Sequence, residues 1–376
     1  MLKADNDVDC DKVATLFEYS IKPYGNDKNG IANKNEDNMK TTRTLLISTL
    51  MAGLLAGIAG CDQKKTEAPV AAEPTAPAAT ATAAAPVVAC EGIAPVGELT
   101  PVRIEAANTT RTEPGLFEGP VWINDSLYFS DFVFTNGFSS RIQKLDANGA
   151  VTTAIDDSGS NGLAVDNNGQ LIAATHKYKS LSRYNPATGE RSSVAEQFNG
   201  NVFNSPNDIA VAKDGTIYFT DPDFQREAAP GGQEKTGVYR VATDGTVTLV
   251  DDTIRNPNGI ALSPAEDVLY VNGGGEQGLL RAYPIVNGVP QAGKDLVTNI
   301  VIPDGMAVDC LGNIYVTEHL ARTLRVYTPA GEQIAQAAFD ANLTNAAFGG
   351  AEGKTLFLTG AGSLWKIDLA ITGSAY

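Results

Sequence analysis

A segment of about 45 residues repeats six times along the chain, and this period limits the folds that the sequence can adopt. Each copy has a polar residue, a short apolar strand, a turn rich in Gly, Asp or Asn, and a second β-rich strand. The leading polar residues are 43, 46, 51, 46 and 41 positions apart; they are Glu118, Asn161, Asn207, Asn258, Asp304 and Asn345. Alternating apolar residues and frequent turns predict an all-β fold.

The repeat length predicts a six-bladed β-propeller with four-stranded antiparallel blades. Four strands occupy about 45 residues, so six blades need about 270, and residues 98–376 provide 279. A blade cannot bury both faces alone, so the ring must close. We expect the segment PVRIEA, from Pro101, to pair with SLWKIDL, from Ser363, in the last blade. A two-sheet sandwich is the alternative, but it does not explain the fixed period.

The first 97 residues have the composition of export and tether segments. An uncharged apolar run from Leu45 to Gly60 follows Lys40 and Arg43. It is shorter than the roughly 20 residues that span a bilayer, so it is predicted to be an export signal. The predicted segments are an upstream extension (1–38), a lipoprotein signal peptide (39–60), a lipidated cysteine with an Ala/Pro/Thr-rich linker (61–97) and the propeller domain (98–376).

The signal run ends in a sequence, IAGC, that is similar to a bacterial lipobox, with Cys61 as the lipidated residue. This predicts a lipoprotein on the periplasmic side of a bacterial membrane, and Asp62 suggests retention at the inner membrane. Of the cysteines after Cys61, only Cys90 and Cys310 remain. Because an exported protein reaches an oxidising compartment, we expect these two to form a disulfide.

The charge balance limits the partners of the chain. Its 28 Lys and Arg against 44 Asp and Glu give a net charge of −16. An acidic chain repels nucleic acid and anionic lipid surfaces, so neither is an expected general partner; membrane contact is expected through the lipid on Cys61 alone.

The six leading residues are predicted to meet on the propeller axis. The innermost strand of each blade lines the central channel, so one repeat position points at the axis from six directions. Every leading residue carries a side-chain oxygen. Carboxylate and amide oxygens suit a hard divalent cation, Ca²⁺ first, with Mg²⁺, Mn²⁺ or Zn²⁺ as alternatives. The competing interpretation is that these residues only cap turns at strand starts.

Four motifs resemble those of a known family: EGPVW, SPNDIAVAKDGTIYFTDP, NPNGIALSP and PDGMAVDCLGNIYVT. Together they are similar to the gluconolactonase and senescence marker protein (regucalcin) family of six-bladed propellers. The resemblance covers roughly residues 112–368. It implies a central metal site formed by Glu118, Asn207, Asn258 and Asp304, with Asp304 also the general base. It further implies that the substrate is a sugar lactone, hydrolysed by metal-activated water.

Two further catalytic candidates follow from the same family resemblance. His176, which ends LIAATH, matches a histidine of the gluconolactonase motif and is a candidate substrate contact or proton shuttle; a structural histidine is equally compatible. Asp221 in FTDP is the other candidate, although Asp-Pro also forms ordinary turns. His319 has no family motif behind it.

Three residues near the predicted ligands are expected to have supporting roles. Asn161 and Asn345 share the axial position without matching family ligands, so we expect them to bond the ligands or water. Trp122, beside the first ligand, is expected in the core.

The sequence leaves the substrate open. Asp223-Phe224-Gln225 stands where bacterial gluconolactonases usually have Pro-Tyr-Gly, which affects substrate identity rather than the metal. The sequence contains no GxSxG elbow and no Cys-His pair, which are the motifs that would indicate catalysis by a nucleophilic side chain. The alternatives to a lactonase are a metal-dependent hydrolase of another ester or phosphoester, and a non-catalytic binding propeller on a membrane tether.

Overall fold

A computed structural model describes Cys90 and residues 92–374 of the chain. The predicted extension, signal peptide, lipidated Cys61 and most of the linker lie outside the described residues, and their boundaries stay predictions. Residues 92–374 form six antiparallel sheets, each built on four strands, which confirms the predicted all-β, six-bladed propeller. In this range no helix has the length and apolar character needed to cross a bilayer.

Two short strands precede the first blade, and blades 1 to 3 then follow in chain order. The leading strands are β1 (Gly97–Glu98) and β2 (Val102–Arg103). Blade 1 contains β3 (Gly115–Ile123), β4 (Ser126–Val133), β5 (Ser140–Asp146) and β6 (Val151–Ile155). Blade 2 contains β7 (Ser160–Val165), β8 (Leu171–Thr175), β9 (Ser180–Tyr184) and β10 (Arg191–Ala195). A hairpin of β11 (Gln197–Phe198) and β12 (Asn201–Val202) leads to blade 3, with β13 (Ile209–Val211), β14 (Ile217–Asp221), β15 (Gly237–Val241) and β16 (Val247–Asp251).

Blades 4 to 6 complete the ring. Blade 4 contains β17 (Pro257–Leu262), β18 (Val268–Gly273), β19 (Gly278–Val286) and β21 (Lys294–Ile300), and β20 (Val289–Pro290) pairs with the end of β19. Blade 5 contains β22 (Pro303–Val308), β23 (Ile314–Glu318), β24 (Thr323–Tyr327) and β25 (Gln333–Ala338). Blade 6 contains β26 (Leu343–Gly349), β27 (Thr355–Gly360) and β28 (Leu364–Asp368). Three short 3₁₀ helices lie in the connections: Glu105–Ala107, Arg226–Ala228 and Gly275–Gln277.

The N-terminal strands close the ring. β2 is the outer strand of blade 6, where Val102 pairs with Lys366 and Arg103 with Trp365, so the predicted closure is confirmed. β1 runs parallel to β25 at the edge of blade 5. The predicted disulfide is also present: Cys90 is bonded to Cys310, with a Cα–Cα distance of 5.3 Å. The last part of the linker therefore lies against the propeller.

The hydrophobic core is a ring of six clusters, one between each pair of neighbouring blades. Leu163 and Leu171 of blade 2, for example, pack with Val121 and Tyr128 of blade 1. The same arrangement recurs around the ring, ending with a cluster shared by blades 6 and 1. Each fully buried Leu, Ile, Val or Phe contributes about 1.5–3 kcal/mol. Because each cluster is shared by two blades, every blade needs a neighbour on both sides, and the ring must close.

At the axis the inner strands approach one another closely, and glycine follows the leading residue in four of the six repeats. A Cβ on Gly162 would lie 2.4 Å from the carbonyl oxygen of Asn207 in the next blade, and one on Gly259 would lie 2.3 Å from that of Asp304. Real Cβ atoms do not approach so closely, so glycine is required at these positions. The geometry of this contact fixes where the leading residues lie.

Hydroxyl groups on the second strand of alternate blades hold the neighbouring inner strand. Ser130 Oγ donates to the carbonyl of Asn161 at 2.6 Å, and Thr220 Oγ1 donates to that of Asn258 at 2.6 Å. Thr317 Oγ1 donates to the carbonyl of Thr344 at 2.7 Å. These buried bonds join one blade to the next directly beside the leading residues.

We expect the disulfide to contribute to stability because it closes a chain segment of 220 residues. Replacing both cysteines, Cys90→Ser with Cys310→Ser, should lower the free energy of unfolding by about 2–5 kcal/mol, since the open chain gains entropy when unfolded. Urea unfolding of the variant and of the native protein with and without reductant measures this. Equal stability in all three samples would show that the cross-link does not constrain the unfolded state.

Candidate metal and catalytic centre

The six leading residues are all buried at the same end of the inner strands. Their exposed fractions lie between 1% for Asn161 and 7% for Asn258 and Asp304. Four of them begin or lie early in β3, β7, β17 and β22; Asn207 lies just before β13, and Asn345 is the third residue of β26. The six residues thus occupy equivalent places in their blades, as a common axial position requires, and their convergence on one site stays a prediction.

The predicted ligands Glu118 and Asp304 lie near enough to interact strongly. Burial raises the pKa of Glu118 well above its usual value, and the negative charges of Asp304 and Asp208 raise it further. Burial also raises the pKa of Asp304, against the lowering effect of His319 and of a hydrogen bond with Asn258. Like charges held together without solvent repel, and a cation beside them would offset this repulsion.

The donor set fits a hard divalent cation. Glu118 and Asp304 offer carboxylate oxygens, and Asn207 and Asn258 offer amide oxygens, from four different blades. Ca²⁺ binds such oxygens, and Mg²⁺ accepts fewer of them with more water. The side chain of Asn345 hydrogen-bonds to Glu118 and lowers its pKa, as expected for an axial residue that bonds the ligands.

Asp208 is a buried carboxylate that the sequence analysis missed. Its oxygens accept hydrogen bonds from the backbone N–H groups of Ile209 at 3.0 Å and Ile260 at 3.4 Å. Burial raises its pKa to about 7, against the effect of these bonds. The signal in the sequence was a broken pattern: glycine follows the leading residue in four repeats, whereas Asp208 occupies that position in the third.

The axial channel continues beyond Asp208 toward the opposite face of the propeller. A cavity of about 100 Å³ lies there, lined by Asp208 and Asn345 and by apolar residues such as Leu163, Ile260 and Met306. Its other polar lining residues are Ser263, Glu266 and Ser374.

His319 contacts the predicted general base. Its Nδ1 lies 3.3 Å from Oδ2 of Asp304 and 2.6 Å from the carbonyl oxygen of Leu343. The side chain is buried, although the residue follows the end of β23. His319 belongs to no family motif in the sequence. The signal that pointed to it was its position at the end of the second strand of its repeat, which His176 shares.

His176 is held as a neutral imidazole. Its Nε2–H donates to the carbonyl of Phe138 at 2.7 Å, and its buried Nδ1 has no hydrogen-bond partner among the described residues. Burial lowers its pKa to about 4. The rings of Phe132 and Phe138 lie edge-on to the imidazole. At neutral pH this histidine can accept a hydrogen bond through Nδ1, and its catalytic role stays a prediction.

Asp221 organises the loop that leads to Asn207. Its two oxygens accept the backbone N–H groups of Asn204 and Ser205, each at 2.8 Å. Lys179, almost fully buried, donates from Nζ to the carbonyl of Asn204 at 2.6 Å. Burial raises the pKa of Asp221 to about 7. This geometry suits a positioning residue, and the predicted catalytic role of Asp221 stays a prediction.

The segment after Asp221, which departs from the family motif, brings Gln225 close to the leading residue Asn161. Gln225 is buried, and its Oε1 lies 3.5 Å from Nδ2 of Asn161. The Oδ1 of Asn161 is buried without a partner among the described residues. Trp122, by contrast, stacks on Phe357 at 5.4 Å, which confirms its expected place in the core.

The low pKa of His176 predicts a loss of stability in acid. Below about pH 6.5 the unfolded imidazole takes up a proton, whereas the folded one stays neutral until about pH 4, so the free energy of unfolding falls as the pH falls. Between about pH 7 and pH 4.5 the native protein should lose about 2 kcal/mol more than the variant His176→Gln. Urea titrations of both proteins at both pH values test this. Parallel losses would contradict a neutral buried His176.

Comparison with known proteins identifies the family. A model of the SMP-30/gluconolactonase/LRE-like region matches residues 116–362. A gluconolactonase of Zymomonas mobilis is 28% identical over 287 residues, 66% of this chain and 77% of the relative; the pentonolactonase XacC of Haloferax volcanii is 26% identical, covering 69% and 92%. The structure of XC5397, a gluconolactonase from Xanthomonas campestris, superposes with a TM-score of 0.62 at 25% identity, covering 76% of this chain and 99% of the other. The chain belongs to the SMP-30/gluconolactonase/LRE-like family.

Proposed function

We propose that the protein is a lactonase that hydrolyses a sugar lactone with the help of a divalent cation. The observation that carries this proposal is the buried axial cluster of Glu118, Asn207, Asn258 and Asp304 in a chain whose relatives include a gluconolactonase and a pentonolactonase. Two carboxylates and two amides, each from a different blade, would meet at the end of the channel where a small polar substrate would enter.

These four residues would hold the cation, for which Ca²⁺ is the first candidate and Mg²⁺, Mn²⁺ and Zn²⁺ are alternatives. When bound, the cation would polarise the lactone carbonyl and stabilise the oxyanion that develops on it. The scaffold is suited to holding a cation because the proposed ligands are buried. Hydrogen bonds between blades hold their main chain, as Thr220 holds the carbonyl of Asn258. A rigid site of this kind needs little reorganisation during the reaction.

Asp304 would act as the general base. Its carboxylate accepts a proton from the attacking water while the water oxygen bonds to the carbonyl carbon of the lactone. The ring C–O bond then breaks, and the proton passes to the ring oxygen, which becomes the hydroxyl group of the product acid. His176 would accept a hydrogen bond from a substrate hydroxyl group through Nδ1, which has no partner in the described part of the chain, and Asp221 would hold the loop before Asn207 in place.

We further propose that the protein is exported and anchored through lipid on Cys61, on the periplasmic side of a bacterial membrane. The disulfide supports this, because such bonds persist in oxidising compartments. Cys310 follows the end of β22, whereas Asp304 lies near its start. The disulfide therefore lies toward the face opposite the catalytic centre, and an anchor attached through Cys90 would leave that centre open to solvent.

The protein should release acid from aldonolactones, and a chelator should abolish this. We expect turnover in a pH-stat assay with a panel of five- and six-membered sugar lactones and added Ca²⁺, Mg²⁺, Mn²⁺ or Zn²⁺. Simple aliphatic esters and phosphotriesters serve as comparison substrates. Turnover of esters alone would favour the other hydrolase class. No turnover with any cation would leave only a binding propeller and would refute the proposed activity.

Asp304→Asn should lower kcat by about 100-fold or more, because the amide cannot accept the proton of water. Asp309→Asn is a matched control: Asp309 is a buried carboxylate just after the same strand, bonded to Asn313 and Tyr315 and remote from the centre. The control should lower the melting temperature and keep kcat. Equal kcat in Asp304→Asn and the native protein would exclude Asp304 as the base.

A further inference from the structure

A chain of hydrogen bonds connects Asp304 to the protein surface through His319. The exposed Arg322 side chain donates from Nε to Oδ1 of Asn342 at 3.2 Å. Nδ2 of Asn342 lies 3.3 Å from Nε2 of His319. Nδ1 of His319 lies 2.6 Å from the carbonyl oxygen of Leu343 and 3.3 Å from Oδ2 of Asp304. The chain joins blade 5 to the start of blade 6.

Two independent contacts fix which nitrogen of His319 carries the proton. A guanidinium group only donates, so Arg322 holds the amide oxygen of Asn342 toward itself and turns its NH₂ group toward His319. Nε2 must then accept, which leaves the proton on Nδ1. The carbonyl of Leu343 gives the same result from the other side, because a carbonyl only accepts.

The Nδ1–H group therefore faces two acceptors. It donates to Leu343 at the shorter distance and is shared with Oδ2 of Asp304 at the longer one, as in three-centre hydrogen bonds. The backbone N–H of His319 also donates to the carbonyl of Ile302 at 3.0 Å, which fixes the main chain from which the ring extends. One carboxylate oxygen of Asp304 is thereby oriented from outside the axial cluster.

We propose that His319 is a positioning residue for Asp304: its Nδ1–H holds Oδ2, so that the other carboxylate oxygen is presented to the cation and the attacking water. This inference rests on the proposed function, in which Asp304 is both ligand and base. Asn342 and Arg322 are the outer members of the same chain, and they keep the imidazole in the orientation that donates. Outer partners of this kind commonly change metal affinity or activity by about 10–100-fold when removed.

The chemistry explains why a fixed carboxylate matters here. Asp304 must offer one oxygen to a cation and accept a proton from a water held beside it, so rotation of the carboxylate would misplace the proton acceptor. A histidine N–H fixes the rotation without the permanent charge that a lysine or arginine side chain would bring. Such a charged side chain would compete with the metal for the carboxylate.

The test compares two substitutions of nearly equal size. His319→Asn places an amide N–H near the position of Nδ1, whereas His319→Leu has no donor. We expect kcat for the best lactone to fall by about 10–100-fold in His319→Leu, with KM changing less, and to recover most of this loss in His319→Asn. Calcium affinity, measured by calorimetry without substrate, should follow the same order.

Tyr315→Phe is the control for a merely structural effect. Tyr315 is buried in the same blade and donates to Asp309 at 3.0 Å, away from the centre. This variant should lower the melting temperature and keep kcat and calcium affinity. Asn342→Leu, at a half-buried position, removes the outer partner with less risk to folding, and its kcat should fall between those of the native protein and His319→Leu.

The outcomes separate the two proposals. If the native protein turns over no lactone, the proposed function fails, and the calcium affinities alone decide the role of His319. If the native protein is active and His319→Leu and His319→Asn match it in kcat and calcium affinity, the positioning role is wrong. Equal losses in both variants, with Asn342→Leu unchanged, would also overturn it, because the donor would then be irrelevant.

Discussion

The contact between neighbouring inner strands at the axis is the constraint on which the rest of the structure depends. Glycine after the leading residue lets one strand lie against the backbone of the next, as Gly162 lies against Asn207 and Gly259 against Asp304. Hydroxyl groups on the second strands of alternate blades hold the same region. Because this packing fixes the main chain at the axis, it also fixes the point from which each leading side chain extends.

This convergence has an electrostatic cost that a cation would offset. The charge of Asp304 raises the pKa of both Glu118 and Asp208, and burial is the largest cause of the raised pKa in all three. A sheet core made only of apolar residues would be more stable, so the arrangement favours binding over stability. Asp208 differs from the other two because backbone N–H groups already bond both of its oxygens. It adds negative charge beside the ligands while its own oxygens are occupied.

The sequence was sufficient to predict the features of the fold that depend on the 45-residue repeat and on the cysteine content. The six blades, the closure by Val102 and Arg103 and the Cys90–Cys310 disulfide could all be predicted from spacing and composition. Contacts between different repeats could not. The approach of His319 to Asp304 depends on how the turn after β23 packs against the residues before β26, and a repeat pattern carries no information about that turn.

Asp208 and Gln225 illustrate a second limit. Asp208 stands in a recognised motif, but its burial and its bond to Ile260 of the next blade arise only when blades 3 and 4 meet. The motif departure at Gln225 was visible in the sequence, whereas its approach to Asn161 depends on the path of the loop after Asp221. In both cases the sequence showed an unusual residue, but it did not show which residue the side chain contacts.

A crystal structure of the protein grown with Ca²⁺ tests whether the axial oxygens bind one divalent cation. We expect a single density peak on the axis, with oxygens of Glu118, Asn207, Asn258 and Asp304 at about 2.3–2.6 Å from it. Well-ordered crystals at saturating Ca²⁺ that show only water on the axis, or a cation held elsewhere, would contradict it.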